Sequence, residues 1–350
     1  STRKESSAAS DVYKRQGPPG YSGAMPSPHI ADPSPQDAQR LAQIRDRIAA
    51  WYASDGRDLP WRCPERTAWG VLVSEIMLQQ TPVVRVLPRW LDWMRRWPSP
   101  ADLAEAPTAD VLRAWDRLGY PRRALRLQAA AQAIVADHGG RVPREHDQLL
   151  ALPGIGPYTA AAVSAFAFGE RQCVIDTNIR RVHARLFSGK GLPSRSLTAA
   201  ETRLARSLLP EQRAASVVWN QSVMELGALI CTARSPRCDQ CPVQDLCAWI
   251  AAGRPEPEEA PRGQSWKGTD RQVRGAVMAV LRAADQPVPE SWLTRDQQVT
   301  LPRGASAELA RPLEALLTLE SPVEQRQRAV DGLVSDGLAH RRGDRIALPG

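Results

Sequence analysis

The sequence predicts a mainly α-helical protein. It reads as one all-helical domain over residues 37–250, followed by a small α+β domain over 266–350, either winged-helix-like or an unrelated α+β unit docked on the helical domain. Three observations predict this. Apolar residues recur at helical spacing from Gln36 to about Ile250, with no strand-like alternation. A run rich in Pro and charge, AAGRPEPEEAPRGQS, marks a linker over 251–265. The tail, LAHRRGDRIALPG, closes on two short β-prone runs around an Arg-Arg-Gly-Asp turn.

Taken in order, residues 1–36 are rich in Ser, Pro and Gly and carry no periodicity. They read as a disordered or non-native extension, with the native chain expected to start at Met25 and residues 1–24 foreign to it. Helical spacing then runs through QDAQRLAQIRDRIAAWYAS, TAWGVLVSEIMLQQ, TADVLRAWDRL, RRALRLQAAAQAIVADHG and YTAAAVSAFAFG. The breakers LPWR, WPSP, LGYP and LPGIGP separate these runs. Beyond the linker, RQVRGAVMAVLRAA and EQRQRAVDGLVSDG are helical, and the basic hairpin follows.

A chain of 350 residues holds one large and one small domain without needing disulfides for stability. Its formal net charge of +8 points to an anionic partner, nucleic acid more than a membrane surface, against the plain alternative of solubility. No run of eighteen apolar residues and no signal pattern occur, so the expected location is the cytoplasm, beside the nucleoid, where thiols stay reduced.

Four of the six cysteines lie in CTARSPRCDQCPVQDLC. Cys231, Cys238, Cys241 and Cys247 follow the spacing C-x6-C-x2-C-x5-C. Four thiolates fill a tetrahedral zinc site or hold an iron–sulfur cluster. Zinc more often takes two C-x2-C pairs, and no histidine lies near, so the pattern leans toward a cluster. Cys63 and Cys173 stand alone and read as small apolar packing residues.

This spacing, after the helix WNQSVMELGALIC, resembles that of the endonuclease III and MutY DNA glycosylases. The resemblance implies a helix-hairpin-helix glycosylase fold over about residues 37–250. It also implies a 4Fe–4S cluster shaping a basic loop, with Arg234 and Arg237 placed to touch DNA phosphates. LPGIGPYTAAAV resembles the family's hairpin. Its Gly154 and Gly156 are expected to let the backbone turn and approach a phosphate ahead of a helix N-terminus.

Glu75 sits on a helix between apolar same-face neighbours, Val71 and Leu78. A buried Glu there is either structurally hydrogen-bonded or a proton donor with a raised pKa. SEIMLQQTPV resembles the MutY signature, which implies the second role. Asp176 in VIDTNIRRV reads as a helix N-cap and, by the resemblance, as the anion that stabilises a sugar cation. Tyr158 stands where strand-cutting members of the superfamily carry a Schiff-base lysine, which implies a monofunctional glycosylase. Tyr158 and Asn178 are expected to line the site. By the same resemblance Gln79, Gln80 and Tyr120 are DNA-contacting candidates, with Gln80 and Tyr120 as wedges. Arg122 and Arg123, in an arginine run beside an aromatic, and Arg62 at the mouth of the site are further candidates, against the plain reading of a solvated arginine face. Arg126 continues the same arginine run, and Trp61 reads as core.

The implied activity is hydrolytic release of adenine mispaired with 8-oxoguanine or guanine in double-stranded DNA, by a monomer. Two alternatives stay open. One is a glycosylase of the same fold with another base, from a T·G mismatch or an oxidised pyrimidine. The other is a non-catalytic iron–sulfur protein that binds DNA or senses redox state. About 85 residues follow the linker, too few for the Nudix-like domain many MutY proteins carry. The small C-terminal domain is expected either to substitute for it in recognising the opposite base or only to add affinity through a basic hairpin at Arg341 and Arg342.

Overall fold

The computed structural model describes residues 35–257, 266–295 and 306–350. The expected extension, save Pro35 and Gln36, and the linker beyond Pro257 lie outside the described residues. The chain divides at Arg40 into two units; of the first, only the opening of α1 is described, and the rest concerns Leu41–Gly350.

The helical part runs α1 Pro35–Asp55, α2 Ala68–Leu78, α3 Val83–Arg96, α4 Pro100–Glu105, α5 Thr108–Trp115 and α6 Arg122–His138. It continues with α7 His146–Ala151, α8 Pro157–Phe168, α9 Thr177–Ser188, α10 Ala199–Leu208, α11 Arg213–Leu229 and the short α12 Ala248–Ala251. Local chemistry sets many of the ends. Ser99 with Asp102, and Thr198 with Glu201, form capping boxes at α4 and α10. Thr67 caps α2 and Asp176 caps α9. Left-handed glycines at 139, 169 and 189 close α6, α8 and α9.

Two apolar clusters flank a pair of central helices. Ala160 and Val163 of α8 face one cluster; Ala161, Ala162, Ala165 and Phe166 face the other. A helix apolar on all sides belongs inside, and α8 packs directly on α2 there. Anything polar on either helix is therefore placed between two lobes.

The C-terminal part runs α13 Asp270–Ala283, β1 Val288–Pro289, α14 Glu290–Thr294, α15 Ala307–Leu317, α16 Val323–Ser335, β2 His340–Arg342 and β3 Arg345–Ala347. The sheet order is β1-β3-β2, antiparallel throughout. Helices α13 and α16 and the closing hairpin are the elements the sequence predicts, and β1 pairs with the last strand in a winged-helix-like order. Strand β1 and helices α14 and α15 are not legible in the sequence: two residues of strand carry no pattern. The expected turn is there, with Arg342 paired to Arg345 across Gly343 and Asp344. The core is not separate, however. Val277, Leu281, Leu313 and Leu333 belong to the same cluster as Trp93 and Trp115.

Candidate active site and cluster loop

A cleft of about 910 Å³ opens between the lobes. It gathers Glu75, Tyr158, Asp176 and Asn178, and Gln79, Gln80, Gly154, Gly156 and Arg62 line it too. Nine of the predicted site residues thus meet in one place, from four separate stretches of sequence; Tyr120, Arg122, Arg123, Arg126, Arg234 and Arg237 do not line it.

Glu75 is 5% exposed in the middle of α2. Its Oε2 accepts a hydrogen bond from the Tyr158 hydroxyl at 2.8 Å. Burial pushes its pKa up to about 7; the Tyr158 hydrogen bond and the Arg62 charge hold it from rising further, and the neighbouring Asp176 charge adds to it. Glu75 is thus hydrogen-bonded, and its raised pKa leaves it able to hold a proton near neutral pH. The same burial drives the Tyr158 hydroxyl well above its ordinary value, so it stays a donor.

Asp176 caps α9. Its Oδ1 accepts from the Ile179 amide at 2.7 Å and its Oδ2 from Asn178 Nδ2 at 2.8 Å. A cap stabilises the anion and by itself would hold the carboxyl low. Here burial outweighs the hydrogen bonds and the nearby Arg181 charge, and the net direction is upward. The bonds continue inward. Arg181 Nη2 donates to Asn178 Oδ1 at 2.9 Å and to the Gly227 carbonyl at 2.7 Å, and its Nε donates to the Cys231 carbonyl at 2.7 Å. A Cβ on Gly227 would stand 2.7 Å from Asn178 Cβ, so only glycine permits this approach of α9 to α11.

The four cysteines are half-buried on one loop after α11. Burial, with the charges of Cys231, Cys247 and Cys238 and against a hydrogen bond from the Val243 amide, pushes the Cys241 thiol up to about 12, so the four sulfurs sense one another. Among the described residues no three acidic, cysteine or histidine side chains close on a point as a single ion requires. Four thiols on one short loop are a donor set that fits an iron–sulfur cluster. Arg185 Nη1 donates to Cys231 Sγ at 3.4 Å and to the Thr232 carbonyl at 2.7 Å, beneath the Trp249 ring. Cys63 and Cys173 lie apart from the loop, each half-buried.

Three expectations need correction. Arg123 is not a DNA ligand: it is 7% exposed, and its guanidinium donates to the Ile76 and Met77 carbonyls, the Thr81 hydroxyl and the Leu118 and Gly119 carbonyls. It ties the end of α2 to the loop before α6, because a planar fork of several N–H donors suits stray carbonyls better than any other side chain. Arg341 is held by Glu290 at 2.8 Å and Asp331 at 2.6 Å, so its charge is taken up by protein carboxylates. Gly156 has φ −99° as the cap of α8, and a methyl placed on it would meet no atom, so no turn demands glycine there. Gly154 does need it: φ is 75° and a Cβ would stand 2.6 Å from Arg126 Cβ.

The other placements are plain. Gln79 Nε2 donates to Thr159 Oγ1 at 3.3 Å. Gln80 and Tyr120 are exposed, both in left-handed backbone at φ 55° and 46°. Arg122 is exposed and pairs with Asp336 at 3.2 Å. Arg126, Arg234, Arg237 and Arg342 are exposed, and Trp61 is core. Glu225 is a site residue that sequence reasoning misses. Wholly buried at the cleft, it takes Arg57 Nε at 2.6 Å and Arg62 Nη2 at 2.9 Å. Although burial opposes it, these arginines bring its pKa down to about 2. A signal exists: Glu225 stands on an apolar helix face in VMELG, as Glu75 does in VSEIM.

Residues 73–207 match the model of the HhH-GPD superfamily base excision DNA repair proteins, and 231–247 match that of the iron-sulfur binding domain of endonuclease III. The chain is 45% identical over 334 residues to an adenine DNA glycosylase of Mycobacterium tuberculosis, spanning 92% of this chain and 99% of that one. It is 44% identical over 304 residues to an adenine DNA glycosylase of Mycolicibacterium smegmatis, covering 87% and 95%. The solved structure of a thermostable thymine-DNA glycosylase superposes with a TM-score of 0.55 at 29% identity, over 61% of this chain and 98% of that one.

Proposed function

Because this chain belongs to the adenine DNA glycosylases of the helix-hairpin-helix superfamily, we propose that its cleft receives an adenine turned out of the duplex and that Glu75 protonates it. A base cannot be cut from its sugar while stacked, so it must leave the helix and enter such a pocket. Adenine is a poor leaving group as an anion. A proton delivered to its ring, at N7, lets it depart neutral, and the sugar is left as an oxocarbenium cation. Asp176, fixed by its two hydrogen bonds, supplies the facing carboxylate; a developing cation beside it favours the ionised form. Water then adds to the sugar, and Glu75, now ionised, takes its proton. The two carboxyls meet the ordinary division into an acid and an anion set by their surroundings.

Tyr158 keeps Glu75 oriented and cannot form a Schiff base with the sugar, which supports base release without strand cutting. Arg62 and Glu225 form a polar wall of the same cleft. Cys231, Cys238, Cys241 and Cys247 would hold the 4Fe–4S cluster, whose chemistry is structural: it fixes the loop that carries the exposed Arg234 and Arg237. Among the described residues no helix is long and apolar enough to cross a membrane. The natural substrate on this reading is adenine opposite 8-oxoguanine or guanine in double-stranded DNA.

The observation that carries the proposal is Glu75, buried, bonded to Tyr158 and with a pKa of about 7, in one cleft with Asp176. The test is single-turnover adenine release from A·8-oxoguanine and A·G duplexes between about pH 5.5 and 9, spanning the Glu75 titration. The acid must be protonated, so the rate should hold at low pH and fall about tenfold per pH step above about 7. Glu75→Gln should abolish release. A rate that is flat or rising through pH 7, or a Gln variant of full activity, would refute the assignment.

A further inference from the structure

Tyr120 is gripped from two sides by residues far apart in sequence. It is 47% exposed and sits in left-handed backbone, a conformation that costs a side-chain-bearing residue energy and persists only where surroundings impose it. Arg123, itself pinned to the end of α2, lies over one face of the ring at 5.7 Å. The loop that carries Tyr120 is tied to the lip of the cleft, since Thr81 Oγ1 donates to the Leu118 carbonyl at 3.0 Å. The second grip comes from the C-terminal part. Arg271 Nη1 donates to the Tyr120 hydroxyl at 3.3 Å, and the same guanidinium stacks on Trp266 at 5.2 Å. Trp266 is 53% exposed, so an aromatic–guanidinium–aromatic surface runs outward from the lip of the cleft.

This arrangement is anchored. Asp336, after α16, is shared by Arg122 and Arg274, and Arg113 Nη2 donates to the Ala284 carbonyl at 3.2 Å. The C-terminal helices also share their apolar core with α5 and α6. Arg271 therefore meets Tyr120 from a fixed direction.

We infer that the C-terminal part positions Tyr120 for insertion into the duplex through Arg271, and that Trp266 continues the same DNA-contacting surface. This rests on the reading that the cleft takes a base turned out of duplex DNA. Stacking aromatics with a cation between them fit unpaired bases and the phosphates beside them. Arg271 is a positioning residue: it orients the ring that enters the DNA and need not touch the reacting atoms.

The test uses the whole chain and a duplex that carries 2-aminopurine beside a non-cleavable 2′-fluoro-adenosine opposite 8-oxoguanine. Fluorescence reports unstacking on insertion, and single-turnover release is measured on the cleavable duplex. Tyr120→Phe keeps the ring and removes the hydroxyl that Arg271 holds. Arg271→Ala and Tyr120→Phe should each cut the fluorescence change and the release rate about threefold to tenfold, and the double variant should lose no more than the worse single one. Arg271→Lys should restore part of the loss, and thermal melting should show every variant folded. Losses that multiply in the double variant, or an Arg271→Ala variant with the full signal while Tyr120→Ala loses it, would overturn the positioning role. A full signal in Tyr120→Ala would overturn the wedge reading and the inference with it. Adenine release by the unaltered chain reports separately on the assigned activity.

Discussion

Replacing Glu75 by Gln should stabilise the fold while destroying the activity. A carboxyl whose folded pKa lies above its unfolded one binds its proton more tightly when folded. Its contribution to stability is full below pH 4.5 and is lost as pH rises to about 7. At about 1.4 kcal/mol for each tenfold change in proton affinity, a rise from 4.5 to about 7 costs the folded protein about 3 kcal/mol at and above pH 7. Glutamine carries no ionisable group and its carbonyl still accepts from Tyr158, so the variant escapes that cost. The assay is urea unfolding of both proteins at about pH 5, 6, 7 and 8, which brackets the titration. The difference between them cancels every other titrating group. It should grow in favour of Gln from pH 5 to 7 and level off by about pH 8, reaching a few kcal/mol. A difference that does not change with pH would show that Glu75 titrates normally, and the general-acid argument would fall with it. Stability given up at a working carboxyl is the usual trade of an active site.

Three further outcomes follow from the geometry. Asp176→Asn keeps a good helix cap, so melting should shift little, yet it removes the anion; single-turnover release should drop on the order of 10²-fold or more, and a melting loss that matched the activity loss would mark Asp176 as a cap alone. Gly154→Ala should destabilise by about 1–3 kcal/mol, because φ is 75° and the methyl meets Arg126, whereas Gly156→Ala should leave unfolding unchanged and weaken duplex affinity in a filter-binding titration. Glu225→Gln should cost about 3–5 kcal/mol in chemical denaturation, since it strands Arg57 and Arg62 against a buried neutral partner; a near-neutral result would mean water already screens that pair.

Much of this protein is legible in its sequence, for local reasons. Helical periodicity, the Asp176 cap and terminating glycines are short-range signals, and they place many of the helices, though not α14 and α15. The cysteine spacing places the cluster loop for the same reason, as all four ligands lie on one short segment. A carboxylate on an apolar helix face makes Glu75 a candidate, because a buried charge is costly wherever it occurs, but the pattern alone fits a structural hydrogen bond equally, and the family resemblance tips it toward a proton donor. Tertiary structure decides what depends on partners distant in the chain. Arg123 reads as one of an exposed arginine run, and only the loop ends folded around it show that it caps α2. Arg341 loses its expected role to Glu290, which lies about fifty residues earlier. The upward pKa of Asp176 comes from burial, which outweighs a cap the sequence displays. The meeting of Arg271 with Tyr120 joins residues 151 apart, and no periodicity encodes such a contact. Helix ends, caps and a ligand loop follow from neighbours along the chain; whether a charge is free, paired or protonated follows from what the fold brings against it.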